Sequence, residues 1–598
     1  MRGAFAPGLI AISLLGWLLF LFWPVLAADP PRLAFSNPDG YAAVWGLAGL
    51  IPGHAWGPMS AWIEPGHLAP AVPAGFLSLL TLSPLASLLG AAHAWNLAVV
   101  LWLCAGGLAM AWLCREHCGS WGAGALASFV LLAQPNLLQL VRDGAVEHLG
   151  FWAPLTGLAC VLRAIRLHDG RCMLAGALLL SMLPVEHPYG IAYLPVLGPA
   201  LLALPLWKAL RDPHRGPRPL AGLLARGLLA ALPLLAIQAL FFSRLDLANL
   251  AGRAADVAVR NSLDPIAGLD FLRRGAWLLE NPQSTAALPH LPTLGLACLL
   301  ALPGLSASLP ALLGGLLALL LAFGPGDSLA TFLSAWGGPE LGRAGAVVAL
   351  LNGALGRVFP FSFVRFPRRW ALLGVAWILL AACEGLARAL SRLGDSRRAR
   401  LGVLLGGILL GLGSAQALTS GTDARAGLPS MPAPEVEACA WIAHAEGSGA
   451  VLLLPTREMR PGGTRSFADL DPALGAFSRL WVQVLHDRPQ RYDSPLLQTV
   501  PVPARELDPL NRWLELADQV SVMSAGTRST SEEECRRLGA TNEVLVGRML
   551  LRAEGYRWIL VERASYPDVA RACLEALLGP VSGVQAFEDG SGLLVYEL

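Results

Sequence analysis

The sequence predicts a polytopic α-helical membrane protein that ends in a soluble extracytoplasmic α/β (α+β) domain. Three observations carry that prediction. Hydrophobic residues make up 55% of the 598 residues and charged residues only 14%, where soluble domains run near 25% charged. So few charges cannot cover a chain of this length with a water-soluble surface, so most of it must face lipid. Apolar runs of span length recur as far as residue 418, and from about 425 onward the sequence turns polar. The basic residues, finally, gather in particular loops rather than being spread along the chain. A formal net charge of +2 excludes a nucleic-acid binder driven by bulk charge. The ten cysteines are scattered, and no spacing reads as a zinc site or a disulfide framework.

Clear spans lie near 8–27, 94–113, 121–138, 150–167, 189–207, 220–243, 368–390 and 401–418, with shorter candidates near 172–186, 289–304 and 309–323. The first has a second reading. Val25-Leu26-Ala27 before Ala28 resembles a signal-peptide cleavage site, although the apolar run before it is long for that, which favours a retained anchor. Basic clusters occur at Arg163/Arg166/Arg171, at Lys208/Arg211/Arg215/Arg218/Arg226 and at Arg388/Arg392/Arg397/Arg398/Arg400, whereas 28–71 carries only Arg32 against three acids. The positive-inside rule makes those three loops cytoplasmic and 28–71 external. That parity requires 72–89, which contains Pro84, to be an interfacial or re-entrant helix, and 346–360 not to cross. About eleven spans result, with the N-terminus inside. Residues 1–424 form the membrane domain, 28–93 its first outer loop with interfacial helices, and 425–598 the outer domain.

In that outer domain helices are expected at 434–445, 505–520 and 568–578, and strands at 450–454, 556–561 and 593–596. Ser531 followed by Glu534 reads as a capping box that opens a further helix. The alternation suits a module built on one sheet.

Candidate chemistry sits at the outer ends of the spans. Asn37-Pro38-Asp39-Gly40-Tyr41, with Trp45 four residues on, reads as a short amphipathic helix on the membrane with Asp39 at its start. This beginning resembles that of the GT-C membrane glycosyltransferases, the group of the protein mannosyltransferases and lipid A aminoarabinose transferases. The segment from Pro135 to Leu155 is similar to the second outer loop of that fold, with Glu147 matching its acidic residue and Asp143 second. Phe359–Trp370, containing Arg365-Phe366-Pro367-Arg368-Arg369, resembles the Arg-x-Pro-x-Arg lead-in to a late span in bacterial relatives. Gly449–Pro455 and Arg557–Glu562 look like strands of the outer domain in those relatives.

The resemblance implies transfer of a sugar from a polyprenyl-phosphate donor to an envelope acceptor at the outer face of a bacterial inner membrane. It casts Asp39 as base or metal ligand, Glu147 as its assistant and Arg365, with Arg368 and Arg369, as the donor-phosphate site. A divalent ion, Mg or Mn, would fit beside the acids. The chemistry stands on its own physics too. An acceptor needs a base or a metal-holding carboxylate, and the leaving phosphate needs cationic groups, for which arginine's bidentate fork is suited.

Each candidate has a plainer reading. Asp39 also suits a helix cap, Glu147 beside His148 a solvated loop pair, and the three arginines headgroup anchors. Glu186 and His187 at a span's outer end suit a metal or each other, and His290 starts another span. His486-Asp487-Arg488-Pro489 is a polar cluster that suits a site (His486, Arg488) or a turn. Gly402/Gly406 and Gly407/Gly411 have small-residue spacing suited to helix packing or a homodimer. Asp39 is followed by Gly40, where many active relatives carry paired acids, so a catalytically silent protein that binds lipid-linked glycan or scaffolds envelope assembly stays open. A lipid or glycan transporter is disfavoured, because the acids cluster at span ends and no inverted repeat is visible.

Overall fold

A computed structural model describes residues 6–27, 61–64, 67–69, 76–134, 136–137, 149–186, 190–211, 217–242, 289, 291–358, 361, 370–392, 437–446, 450–454, 459–460, 463–464, 490–491, 532–553, 555–562, 568–579, 581, 583–586 and 593–598, with most of 513–520. Two compact units are present: a helical bundle (Met1–Ala28, Ala74–Ser78 and Asn96–Ser430) and a second unit formed by the remainder.

The helices through the bundle region are α1 (Ala6–Leu26), α2 (Phe76–Leu89), α3 (Ala91–Cys118), α4 (Trp121–Leu132), α5 (Trp152–Leu167), α6 (Gly170–Ser181) and the single turn α7 (Leu183–Glu186). They continue with α8 (Gly190–Arg211), α9 (Pro217–Phe242), α10 (Leu291–Ala301), α11 (Leu305–Ala322), α12 (Ser328–Leu355) and α13 (Trp370–Ser391). Among the described residues six apolar helical stretches are long enough to cross a bilayer: Ala6–Trp23, His93–Cys118, Ala192–Arg211, Pro219–Ala236, Thr293–Ala322 and Trp370–Ser391. The stretch expected at 401–418 lies outside the described residues.

Sequence punctuation accounts for the breaks. The run read as one helix over 172–186 is split after Ser181, and the separate turn α7 starts at Leu183, just before Pro184, which has no N–H to give. A 3-10 turn at Leu302–Gly304 separates α10 from α11, and both helices pack along α13. Gly337 and Gly338 break α12, with Gly338 at φ 80°. Its second arm folds back so that a Cβ on Gly345 would sit 2.6 Å from the Ala330 Cα. Asn352 pins the far end of α12 by donating to the carbonyls of Leu320 (3.1 Å) and Gly324 (2.8 Å). Between α5 and α6, His168 takes a left-handed conformation and Asp169 caps α6 by accepting from the N–H groups of Arg171 and Cys172.

Small residues let the helices touch. Gly124 of α4 lies on the backbone of Ala111 in α3, Gly385 of α13 on Leu300 and Ala301 of α10, and Gly315 of α11 faces Gly374 of α13. Lipid tails are as apolar as leucine, so close backbone approach and dispersion hold such helices together in place of a hydrophobic drive. These contacts set helix direction. Gly106 meets Phe151 at one level, while Glu116 meets Arg163 and Arg166 at another, so α3 and α5 run parallel. Pairing of Gly124 with Ala111, and of Ser128 with the Gly107 carbonyl, makes α4 antiparallel to α3.

The second unit contains a five-stranded sheet in the order β6-β3-β7-β9-β8: β3 (Ala450–Leu454), β6 (Gln490–Arg491), β7 (Tyr556–Glu562), β8 (Gly583–Ala586) and β9 (Leu593–Glu597). β3 is parallel to both β6 and β7, and β9 is antiparallel to β7 and β8. Two short hairpins, β1–β2 (Ala61–Glu64, His67–Ala69) and β4–β5 (Met459–Arg460, Gly463–Thr464), are not hydrogen-bonded to it. Alternation along the strands builds two cores. Val451, Trp558, Leu560 and Val595 pack with Ala438, Cys439 and Ile442 of α14 (Glu437–His444). Leu452, Leu454, Ile559, Val561, Leu594 and Tyr596 face α15 (Glu532–Gly539), α16 (Asn542–Ala553), α17 (Asp568–Leu578) and the helical stretch at Trp513. Both faces of β3 and β7 are buried, which is why Ala450–Leu454 and Trp558–Val561 are continuous apolar runs.

One expectation is corrected here. Cys535 of α15 and Cys573 of α17 form a disulfide. Their separation of 38 residues resembles no local disulfide motif, and only the packing of the two helices brings them together.

Candidate functional site

One end of the bundle gathers the starts of α5, α8 and α13. At its centre is Glu186, fully buried at 0% exposure. Its carboxylate accepts from the backbone N–H of Ser78 at 3.1 Å and from the Ser78 hydroxyl. Trp152, in the first turn of α5, donates its indole N–H to the same hydroxyl at 3.1 Å. Gly150 closes the other side, where a Cβ would come within 3.1 Å of Glu186 Oε1 and 3.3 Å of its carbonyl oxygen. Ser78 lies in the first turn of α2, whose N–H groups lack helical partners and favour negative charge. Glu186 thus ties α7, the first turn of α2 at Ser78 and the start of α5 through one carboxylate.

The same end carries an aromatic group. Tyr193 of α8 packs edge-on against Trp370 of α13 with ring centroids 4.4 Å apart, and Phe361 stacks on Trp370 at 6.2 Å. Deeper, the Trp377 indole donates to the Leu197 carbonyl at 3.1 Å. Just past α4, Asn136 is 4% exposed, and among the described residues neither its amide nitrogen nor its amide oxygen has a hydrogen-bond partner. A buried amide without partners costs about 1–3 kcal/mol, so this position is set up for a polar partner.

Of the candidate site residues read from the sequence, only Glu186 is described. Asp39, Asp143, Glu147, His187, His290, Arg365, Arg368, Arg369, His486 and Arg488 lie outside the described residues, as do Gly402, Gly406, Gly407 and Gly411. In the sequence Leu137 and Leu149 bracket 138–148, and Phe361 and Trp370 bracket 362–369; of these, Leu149, next to Gly150, and Phe361 and Trp370 lie at the Glu186 end. Among the described residues no three His, Cys, Asp or Glu side chains converge as a metal-binding group. Glu186, read from the sequence beside His187 as a metal or paired residue, has its carboxylate engaged by Ser78. Sequence reasoning missed Ser78, a lone serine in an apolar run, and Trp152, which reads as an ordinary interfacial aromatic.

No family model and no curated protein matches the chain. Among solved structures it is similar to GT-C membrane glycosyltransferases. The apo oligosaccharyltransferase of Archaeoglobus fulgidus is 12% identical, over 95% of this chain and 72% of that one, with a TM-score of 0.41. ArnT from Cupriavidus metallidurans bound to undecaprenyl phosphate is 13% identical, over 98% and 97%, with a TM-score of 0.46. The mycobacterial arabinofuranosyltransferase AftD is 16% identical, over 98% of this chain and 39% of that one, with a TM-score of 0.42.

Proposed function

We propose that the protein transfers a sugar from a polyprenyl-phosphate donor to an envelope acceptor at the outer face of a bacterial inner membrane. One observation supports the reading: Leu149, Phe361 and Trp370, which flank the acidic segment 138–148 and the arginine segment 362–369 in the sequence, lie at the Glu186 end of the bundle. A carboxylate to activate an acceptor and guanidiniums to hold a departing phosphate belong at one level of the membrane. In this reading Glu147, with Asp143 second, and Asp39 serve as base or hold a divalent ion, Mg or Mn. Arg365, with Arg368 and Arg369, takes the donor phosphate, and Asn136 offers its amide to the bound donor. The disulfide between Cys535 and Cys573 supports an oxidising compartment for the C-terminal part.

The test is transfer by the purified protein in vesicles that carry polyprenyl-phosphate sugars together with an envelope extract as acceptor, scored as labelled sugar on the acceptor and release of polyprenyl phosphate. Wild type should release it. Asp39→Asn, Glu147→Gln and Arg365→Gln should each lower the rate by a factor of at least about 100. Asp39 followed by Gly40, in place of paired acids, favours the catalytically silent alternative. That alternative predicts donor binding without release, unchanged in Asp39→Asn.

A further inference from the structure

The other end of the bundle holds a second polar cluster that the proposed transfer does not use. Glu116, in the last turn of α3, is 3% exposed and takes three guanidiniums on one carboxylate. Arg115 pairs with Oε1, Arg163 of α5 reaches Oε1 at 3.3 Å, and Arg166 of α5 reaches Oε2 at 3.5 Å. The Trp112 indole adds a donor to Oε1 at 3.2 Å, and Arg166 also donates to the Glu116 carbonyl, one of the orphan acceptors at the end of α3. Charge does not balance here. Arg115, Arg163 and Arg166 face Glu116, and the nearby Asp169, which accepts the backbone N–H groups of Arg171 and Cys172, lies within electrostatic reach of Arg163, so three cations meet two acids and one positive charge is left over.

The surplus is neither buried nor isolated. The side chains of Arg115, Arg163 and Arg166 are 36%, 33% and 49% exposed. Arg115 lies over the Trp121 ring at 5.3 Å, and Arg211 over the half-exposed Trp207 ring at 3.9 Å. Stacked Trp–Arg pairs are typical of a bilayer's headgroup level. Lys208, Arg388 and Glu384 lie within electrostatic reach of His117, so the C-terminal ends of α3, α5, α8 and α13 bring their basic residues to the same level. Helix C-terminal ends favour cations, which explains their residence but not their number.

We propose that Arg115, Arg163 and Arg166, fixed in place by Glu116, bind the phosphate of an anionic membrane lipid at the end of the bundle opposite Glu186. Glu116 sets the fork of each guanidinium, Arg163 also meets the Cys172 thiol, and the N–H groups beyond these contacts take the phosphate oxygens. Arginine suits this better than lysine because its planar fork holds two oxygens at once. The inference is independent of the transfer reaction and needs only that the bundle sits in a membrane.

The test uses the full chain, purified and delipidated in a non-ionic detergent. Its thermal unfolding is followed while phosphatidylglycerol, phosphatidylcholine or inorganic phosphate is added at matched ionic strength. Phosphatidylglycerol should raise the midpoint saturably, and the other two should not. A basic residue near an anionic surface contributes about fivefold in affinity, so Arg115→Gln/Arg163→Gln should raise the half-saturating concentration by roughly twentyfold. Arg115→Lys/Arg163→Lys should recover part of that loss. Native mass spectrometry of the wild type should retain phosphatidylglycerol over phosphatidylcholine, and decides the matter if the Gln variant does not fold. Equal stabilisation by inorganic phosphate, an unchanged response in the Gln variant, or equal retention of both lipids would overturn the proposal.

Discussion

Replacing Glu186 separates an architectural carboxylate from a ligand-binding one. The structure gives it a backbone N–H donor at 3.1 Å and a hydroxyl donor on the same residue, Ser78, with Trp152 behind the hydroxyl. Hydrogen bonds to a charged partner contribute about 1.5–3 kcal/mol, and a donor left buried without an acceptor adds a cost in the same range. Glu186→Ala should therefore destabilise the bundle by about 3–4 kcal/mol. Glu186→Gln, which keeps one acceptor oxygen, should cost about half of that. Ser78→Ala leaves the N–H bond but removes the hydroxyl, which donates to the carboxylate and accepts from the Trp152 indole, for about 2–3 kcal/mol. The two sites share a bond, so the double variant should show a coupling of about 1 kcal/mol, within the range for contacting residues. Equilibrium unfolding by SDS titration in mixed micelles reads all four. A Glu186→Ala cost under about 0.5 kcal/mol, or a coupling near zero, would refute the architectural reading. Stabilisation of the wild type by added Mg that vanishes in Glu186→Gln would point to a ligand instead.

Other outcomes follow from single contacts. Asn136→Leu replaces a buried amide that has no partner; it should leave thermal stability unchanged or raised while weakening donor binding, and a loss of stability would show a partner within the protein. Gly385→Leu sets a side chain against the backbone of Leu300 and Ala301; overpacking costs about 1–3 kcal/mol, so its SDS midpoint should fall, and a wild-type midpoint would dismiss the α10–α13 contact. Cys535→Ser/Cys573→Ser opens a loop of 38 residues; chain entropy sets the loss near 3–4 kcal/mol, and unreactive thiols in the unreduced wild type, mapped by alkylation and mass spectrometry, would verify the bond. Burial, then the neighbouring Glu575 carboxylate, pushes the Tyr596 hydroxyl up to about 12. The folded form thus holds this proton more tightly, and its stabilisation is complete at neutral pH and lost as pH rises from about 10 to about 12. Tyr596→Phe should remove that alkaline component from pH-dependent unfolding, and an unchanged profile would contradict the assignment.

The fold was legible wherever one local pattern decides an element. Ala450–Leu454 and Asp568–Leu578 are bounded in the structure as in the sequence, because an unbroken apolar run and a helical period are both local. α16 was not separated, since its exposed face carries Leu545, Val546 and Met549 and its apolar period is blurred. β8, Gly583–Ala586, is four residues of weak strand propensity that pair only because β9 offers an edge. The Cys535–Cys573 bond and the Glu186–Ser78 contact are long-range, the latter across 108 residues, and pairings of that kind leave no mark on spacing. Glu116 was hidden differently. Arg163 and Arg166 were read as topological signals, and nothing in the sequence says that their carboxylate comes from the end of α3.

Two features of unrelated origin bear on which way the bundle faces. Arg115, Arg163, Arg166, Lys208 and Arg388 gather at the Glu116 end, and the positive-inside tendency assigns such an end to the cytoplasm. The disulfide acts on another part of the chain through another principle, since a bond between Cys535 and Cys573 persists only in an oxidising compartment. Charge and redox agree only if the chain crosses the membrane an odd number of times after Arg388. Residues 401–418 are the one apolar run of span length that remains for that crossing. Cysteine accessibility then provides a joint test in intact cells. A reporter at residue 396 should be protected from an impermeant thiol reagent and one at 425 labelled, in a background with the native free thiols replaced. Labelling at both positions, or at neither, would mean that 401–418 does not cross, and either the charge argument or the redox argument would have to be given up.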